Sequence, residues 1–449
     1  HPRALALLGL AYQYGEGIER SIVKALENYR KGALLGNDLA QAALGNAYSW
    51  GNGVTQDHKE AFRWYMRSAE QGNNVGQNGV GSALYFGNGV ERDESKGIVW
   101  LLKAANQGNS FSQSTLGYAY FHGDGVDKNA AFSLKWNSLA AEQGDHLSQE
   151  RLGQLYYYGI GVPENKSTAH KWFLRAASQG NHSAEFAVGQ AYSFGKGVSK
   201  DPEAAVFWYI RAAEGGNSVA QFNLAIAYAS GDGVDLSDIR ALEWYLAAAH
   251  QGHIEAQYSL ALRYQSGTGV EVDLEKAFEW HTKASDNGHV DAKNQLALLY
   301  EWGEGAPTNE EKATKLFAEA AMEGSAEAAL NLGLVTSYGD RKDTLTSLEY
   351  LKRAYKQGEI SAGYYIALQH LDKNSGFYFP KAAYDILRQL EKSGGSESVI
   401  STSLALLGYM HANGLYVEKN ISKACEMLRI SSRKNYTLSR SILKKIKCL

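Results

Sequence analysis

The residues best suited to chemistry are few, and most of them recur at a fixed interval. Pairs of glycines one residue apart stand at Gly15/Gly17, Gly51/Gly53, Gly87/Gly89 and onward to Gly303/Gly305. Such pairs cradle phosphate when a strand precedes them and a Lys-Ser/Thr or a third glycine follows. None of that context is present, and nine copies point to a turn. His250, His253, His281 and His289 crowd one stretch, but no two of them share a helix at metal-ligand spacing. His253 and His289 stand where Asn37, Asn73, Asn109 and Asn217 stand elsewhere, so they read as loop or capping residues. His281 takes the slot of Tyr65, Tyr209 and Tyr245. Cys425 and Cys448 are the only cysteines, and no motif ties a His or an acid to either as in an activated thiol. A disulfide pinning the last helix and two free thiols both fit them. Glu150 and Glu301 are too isolated for paired acid–base work. Sequons at Asn165, Asn181, Asn420 and Asn435 fall mostly where helix caps or junctions already call for Asn. No metal, cofactor or catalytic residue is assigned.

The interval itself is the stronger signal. The first glycine of each pair recurs every 36 residues without slippage from Gly15 to Gly303. Trp64, Trp100, Trp136, Trp172, Trp208, Trp244 and Trp280 keep the same period, as do the glycines from Gly36 to Gly324. Each unit reads as two helices. Ala40, Leu44, Ala47 and Tyr48 make one apolar stripe at helical spacing. The glycine pair then turns the chain, and Ser21, Asp57, Asp93, Asn129, Asn165, Asp201, Ser237, Asp273 and Asn309 cap the second helix. That helix places Ala61, Trp64, Tyr65, Ser68 and Ala69 on one face, and Pro202 sits at a first helical position. A single pair cannot bury such stripes, so stability must come from stacking neighbours. The mid-array Trp172 is expected to be buried between them.

The pattern A-x-x-x-L-G-x-x-Y-x-x-G-x-G-V followed by K-A-x-x-W-Y-x-x-A-A-x-x-G resembles the Sel1-like repeat, a relative of the tetratricopeptide repeat. It is cleanest over Ala184–Gly216 and Ala220–Gly252 and extends over essentially the whole chain. The resemblance implies an all-α, right-handed superhelical solenoid of about twelve antiparallel helix pairs that binds another protein or peptide. It implies no catalytic chemistry, although a hydrolase acting in the groove is claimed for some cysteine-rich relatives. It implies two settings: exported or host-interacting bacterial proteins, which the bare repeat array favours, and adaptors of the eukaryotic secretory pathway. An exported location, periplasmic or extracellular, is therefore the expectation.

Three regions follow: regular repeats over 1–324, two degenerate repeats over 325–395, and a last repeat with a capping helix over 396–449. The glycine rule weakens at Gly339-Asp340-Arg341, and Leu371–Phe379 keeps only the lone Gly376. A basic helix near Tyr436–Lys447 closes the stack. The net charge of −3 gives no reason to expect nucleic-acid binding, and no apolar run is long enough for membrane insertion. The chain opens at His1-Pro2-Arg3, already within a first helix, which reads as a processed or trimmed start.

What remains for a partner is the remaining face of the first helices, which the resemblance implies lines the concave surface of the solenoid. Tyr85, Phe121 and Tyr157 share one register in three successive repeats and are the leading anchors, flanked by Asn78, Ser82, Glu150 and Gln154. Tyr118 lies beside them, and Phe186, Phe222 and Tyr258 form a second line. Both sets have a competing assignment as packing between adjacent helices.

Overall fold

The structure, a computed structural model, describes residues 1–338, 342–393, 396–433 and 437–448. The turn at Gly339-Asp340-Arg341 and the sequon Asn435 lie outside them. Every regular element among the described residues is a helix, 25 in all, most of them 13 residues long. They form twelve pairs and a final single helix, Thr437–Lys445. The chain divides into two compact units, His1–Leu236 and Ser237–Leu449. Within each unit a first helix packs on its pair-mate, and that mate packs on the first helix of the next repeat. The division falls inside the regular run, away from the changes in repeat quality at 324 and 395.

Local sequence explains the turns. Gly51 ends the helix Asp38–Trp50 at φ 70°, and its N–H reaches back to the Ala47 carbonyl. From Gly53 onward the second glycine of each pair carries a further demand. A Cβ at Gly89 would lie 2.3 Å from the backbone of His58, where the preceding second helix begins. Positive φ and close approach together exclude other residues. All nine predicted caps accept a backbone N–H from the first turn, as in Asp57 with Lys59 and Glu60. A second cap series begins the first helices, and His253 and His289 belong to it: their Nδ1 atoms accept from Ala256 and Ala292. Asn165, Asn181 and Asn420 likewise act as caps.

The core of a pair is a ring set on a glycine. A Cβ at Gly45 would come within 2.6 Å of the Tyr65 ring, so the helices meet there at close range. Tyr29, Phe173 and Tyr209 repeat the arrangement over Gly9, Gly153 and Gly189. This corrects the reading of the tryptophans. Trp64, Trp136 and Trp280 are buried, whereas Trp172, Trp100, Trp208 and Trp244 are only half-buried. Phe173 takes the inward position in its helix, and Trp172 lies at the flank with Arg175 4.5 Å over its ring.

Between repeats, buried glutamines complete the carbonyls that each second helix leaves open at its C-terminus. Gln41 Nε2 donates to the Ala33 carbonyl at 3.2 Å, and Gln71 Nε2 donates to Gln41 Oε1 at 2.7 Å. Gln113 with Gln143 repeats the motif. Where Glu185 replaces the glutamine, Arg211 and His182 bind its carboxylate, and Gly215 leaves room for the imidazole. In the degenerate stretch, side-chain bonds replace the glycine pair. Ser375 Oγ donates to the Gln369 carbonyl and accepts from Phe377 N, and His370 Nδ1 meets the Phe377 carbonyl at 2.9 Å. A Cys425–Cys448 disulfide ties the helix Ile421–Arg433 to the segment that follows the last helix.

Candidate protein-binding face

The predicted anchors divide by burial. Tyr85 is 3 % exposed, so it is a core residue and not a surface anchor. Its helix partner carries Gly97, where a Cβ would crowd Tyr85 N and Cβ, and this close approach covers the ring. Burial pushes its phenol up to about 12. Phe121 and Tyr157 are half-buried. Tyr118 is exposed and lies 5.2 Å from the guanidinium of Arg151, which donates to Asn137 Oδ1. Phe186 packs against the Tyr209 ring, and Tyr258 stacks on His289 at 4.3 Å, so this line does serve packing. Phe222 is half-buried as well. Asn78, Glu150 and Gln154 among the flanking polar groups are engaged within or between repeats. Ser112 donates to Asn78 Oδ1, and Glu150 accepts from Gln154 and from Asn181.

One residue further along, the structure presents a series that the sequence reading passed over. Tyr14, Trp50, Phe86, His122, Tyr158 and Phe194 end six successive first helices, each directly before the turn glycine. All are exposed, from 58 % at Phe86 to 73 % at Trp50 among those with the largest apolar surface. The series has the same 36-residue period as the glycines, which was the signal available to find it. It was hidden because the residue before a turn glycine reads as part of the turn.

The two registers act together. Tyr85 meets Phe86, Phe121 meets His122 and Tyr157 meets Tyr158, each with ring centroids 4.9 Å apart and steeply inclined. Edge-to-face contacts of this kind are favourable beyond the area they bury. The inner ring therefore backs the outer one and fixes its direction. Tyr14 lines one hollow together with Ala42 and Asn46 of the next first helix. Tyr158 lines an open groove of about 530 Å³ with Tyr157, Gln154, Phe186, Gln190, Phe194 and Lys196. The groove pairs apolar walls with amide and charged groups, the mixture that orients a bound chain. Among the described residues no group of three or more His, Cys, Asp or Glu is placed to hold a metal.

An array of helix pairs with one aromatic-lined face defines a helical-repeat interaction scaffold. The chain belongs to the Sel1 repeat family: the family model matches over 2–37, 38–73, 75–109, 110–145, 146–181, 182–217, 218–253, 254–289, 290–325, 326–359 and 401–436. The stretch 360–400 stays outside it, in keeping with its glycine-poor turn. Among solved structures, one similar to this chain is a protective antigen present in uropathogenic Escherichia coli strains that displays an SLR fold. It is 30 % identical over 94 % of this chain and 90 % of that one, with a TM-score of 0.83. A Sel1 repeat protein from Oxalobacter formigenes is 30 % identical over 69 % of this chain and 89 % of its own, with a TM-score of 0.54. Comparison with curated proteins returns no match.

Proposed function

We propose that the first-helix face of the N-terminal unit binds a partner polypeptide, with Trp50, Phe86, Tyr158 and Phe194 as its anchors. The observation that carries this reading is the exposure of one aromatic per repeat, directly before the turn glycine, in six successive repeats. Aromatic rings give large contact area at small entropy cost, and such residues dominate protein interfaces. An exported setting is part of the proposal. It is supported by the Cys425–Cys448 disulfide, a bond that persists in oxidising compartments. The test is a Trp50→Ser, Tyr158→Ser, Phe194→Ser variant. Partner affinity should fall at least tenfold, about 1.4 kcal/mol, with the melting temperature unchanged. Full affinity in a variant that melts normally would place the binding face elsewhere.

A further inference from the structure

The near-zero net charge hides a strong asymmetry. From residue 419 onward the sequence has nine Lys and Arg and a single acid, Glu426. Of 45 basic and 48 acidic residues in the whole chain, this leaves a net of −11 on residues 1–418 against +8 on the last 31. The helices Ile421–Arg433 and Thr437–Lys445 place this charge outward. Ala424, Met427, Leu428, Ile442 and Leu443 turn inward, while Lys423, Arg429, Arg433, Arg440, Lys444 and Lys445 are exposed.

The assembly is rigidly tied. Cys425 is bonded to Cys448, Ser431 Oγ meets Ser439 Oγ at 2.7 Å, and Arg429 donates to the Cys448 carbonyl at 2.7 Å. Its two helices contain no aromatic residue. Single-stranded nucleic acid is held by stacking on aromatic rings, and protein hot spots are rich in them. This surface offers instead long flexible cations with exposed Ile430 and Ile421 among them. That combination suits a fluid, charge-dense interface, where headgroups move to meet each cation and short apolar side chains reach the acyl boundary.

We propose that the last two helices form a basic docking surface for anionic phospholipid headgroups, holding the scaffold peripherally at a membrane. No helix among the described residues is long and apolar enough to cross one, so the contact is with the surface. The surface lies in the C-terminal unit and does not depend on the aromatic face of the N-terminal one. Contact at the basic surface leaves the acidic remainder of the chain without attraction to the same membrane.

Flotation of the full chain with vesicles tests this. Phosphatidylcholine vesicles doped with phosphatidylglycerol should carry the protein up at low salt and release it in ~1 M salt, where the Debye length is about 3 Å. Pure phosphatidylcholine should not bind it. Lys423→Gln/Lys444→Gln/Lys445→Gln should weaken partition about a hundredfold, about 3 kcal/mol in all. Lys444→Arg/Lys445→Arg should bind as the native chain does, which separates loss of charge from loss of fold. The aromatic-face triple variant should float normally, so failure of one reading is distinguishable from failure of the other. Equal binding to neutral vesicles, no binding to anionic ones, or an unaltered neutralised variant would overturn the proposal. Capture of soluble polyphosphate or polyglutamate without vesicle binding would also overturn it, and would reassign the surface to a free polyanion or an acidic protein.

Discussion

The N-terminal unit and the C-terminal helices use one backbone plan and decorate it in opposite ways. Before the turn glycines of the first unit the outward residue is aromatic six times running. Over the last two helices six exposed residues are Lys or Arg, and aromatics are absent from both. The inward registers differ much less: small residues, a leucine, and a bulky group facing a glycine. Packing fixes the inside of a repeat, so a surface can be rewritten repeat by repeat at little cost to the stack. The turns show the same contrast. From Gly53 to Gly305 the second turn glycines sit at positive φ with no room for a side chain, whereas Tyr416 occupies that register at φ 65°. Its ring contacts Tyr384, at the place where Leu26 would meet a Cβ on Gly53.

The strongest way to break this division between inner and outer registers is through the tryptophans. Trp136→Ala empties a buried site and should cost about 3–5 kcal/mol in denaturant unfolding. Trp172→Ala removes a half-exposed ring and should cost clearly less. Equal losses would mean that the Trp register is core throughout and that the Phe173 register is not the decisive contact.

Much of this was legible in the sequence because it is periodic. Helix pairs, caps and turns could be placed because nine copies of Gly51 and Asp57 vote for the same geometry. Burial was harder, since a 36-residue period marks every register equally, inward or outward. Trp172 and Phe173 are neighbours with one period, and only the glycine opposite, Gly153, tells which ring faces in. Tyr85 and Phe86 posed the same problem, and the inner one was chosen as the anchor. The Cys425–Cys448 pairing stayed open because no repeat elsewhere constrains it. The bonding of Ser375 and His370 that replaces a glycine turn leaves no periodic trace at all.

A second test concerns a polar group at an inner register. His281 is fully buried with neither ring nitrogen bonded, and burial pulls its pKa down to about 4. The unfolded chain takes up the proton first, near 6.5, so stability present above that pH is lost as pH falls toward 4. The loss should reach roughly 3 kcal/mol locally, read by hydrogen exchange in its repeat. His281→Phe, the residue type at the equivalent Phe317, should flatten that slope. A slope that survives the substitution would place its origin in another group.

A smaller effect should mark the irregular turn. Tyr416→Gly relieves a left-handed backbone at a non-glycine residue and should stabilise the C-terminal unit by about 1 kcal/mol. Destabilisation of that size would show instead that the Tyr384 contact outweighs the strain.

The central claim, that the first-helix face and not the second meets the partner, is tested most directly by photo-crosslinking. Phe194 ends a first helix and Phe207 lies on the following second helix, and the two are exposed to similar degrees, 61 % and 54 %. A photoreactive phenylalanine analogue at each position, in otherwise native chains exposed to the natural cellular milieu, samples the two faces with one chemistry. Position 194 should trap a discrete partner band that position 207 does not. Trapping of the same partner from 207 alone, or equally from both, would contradict the account.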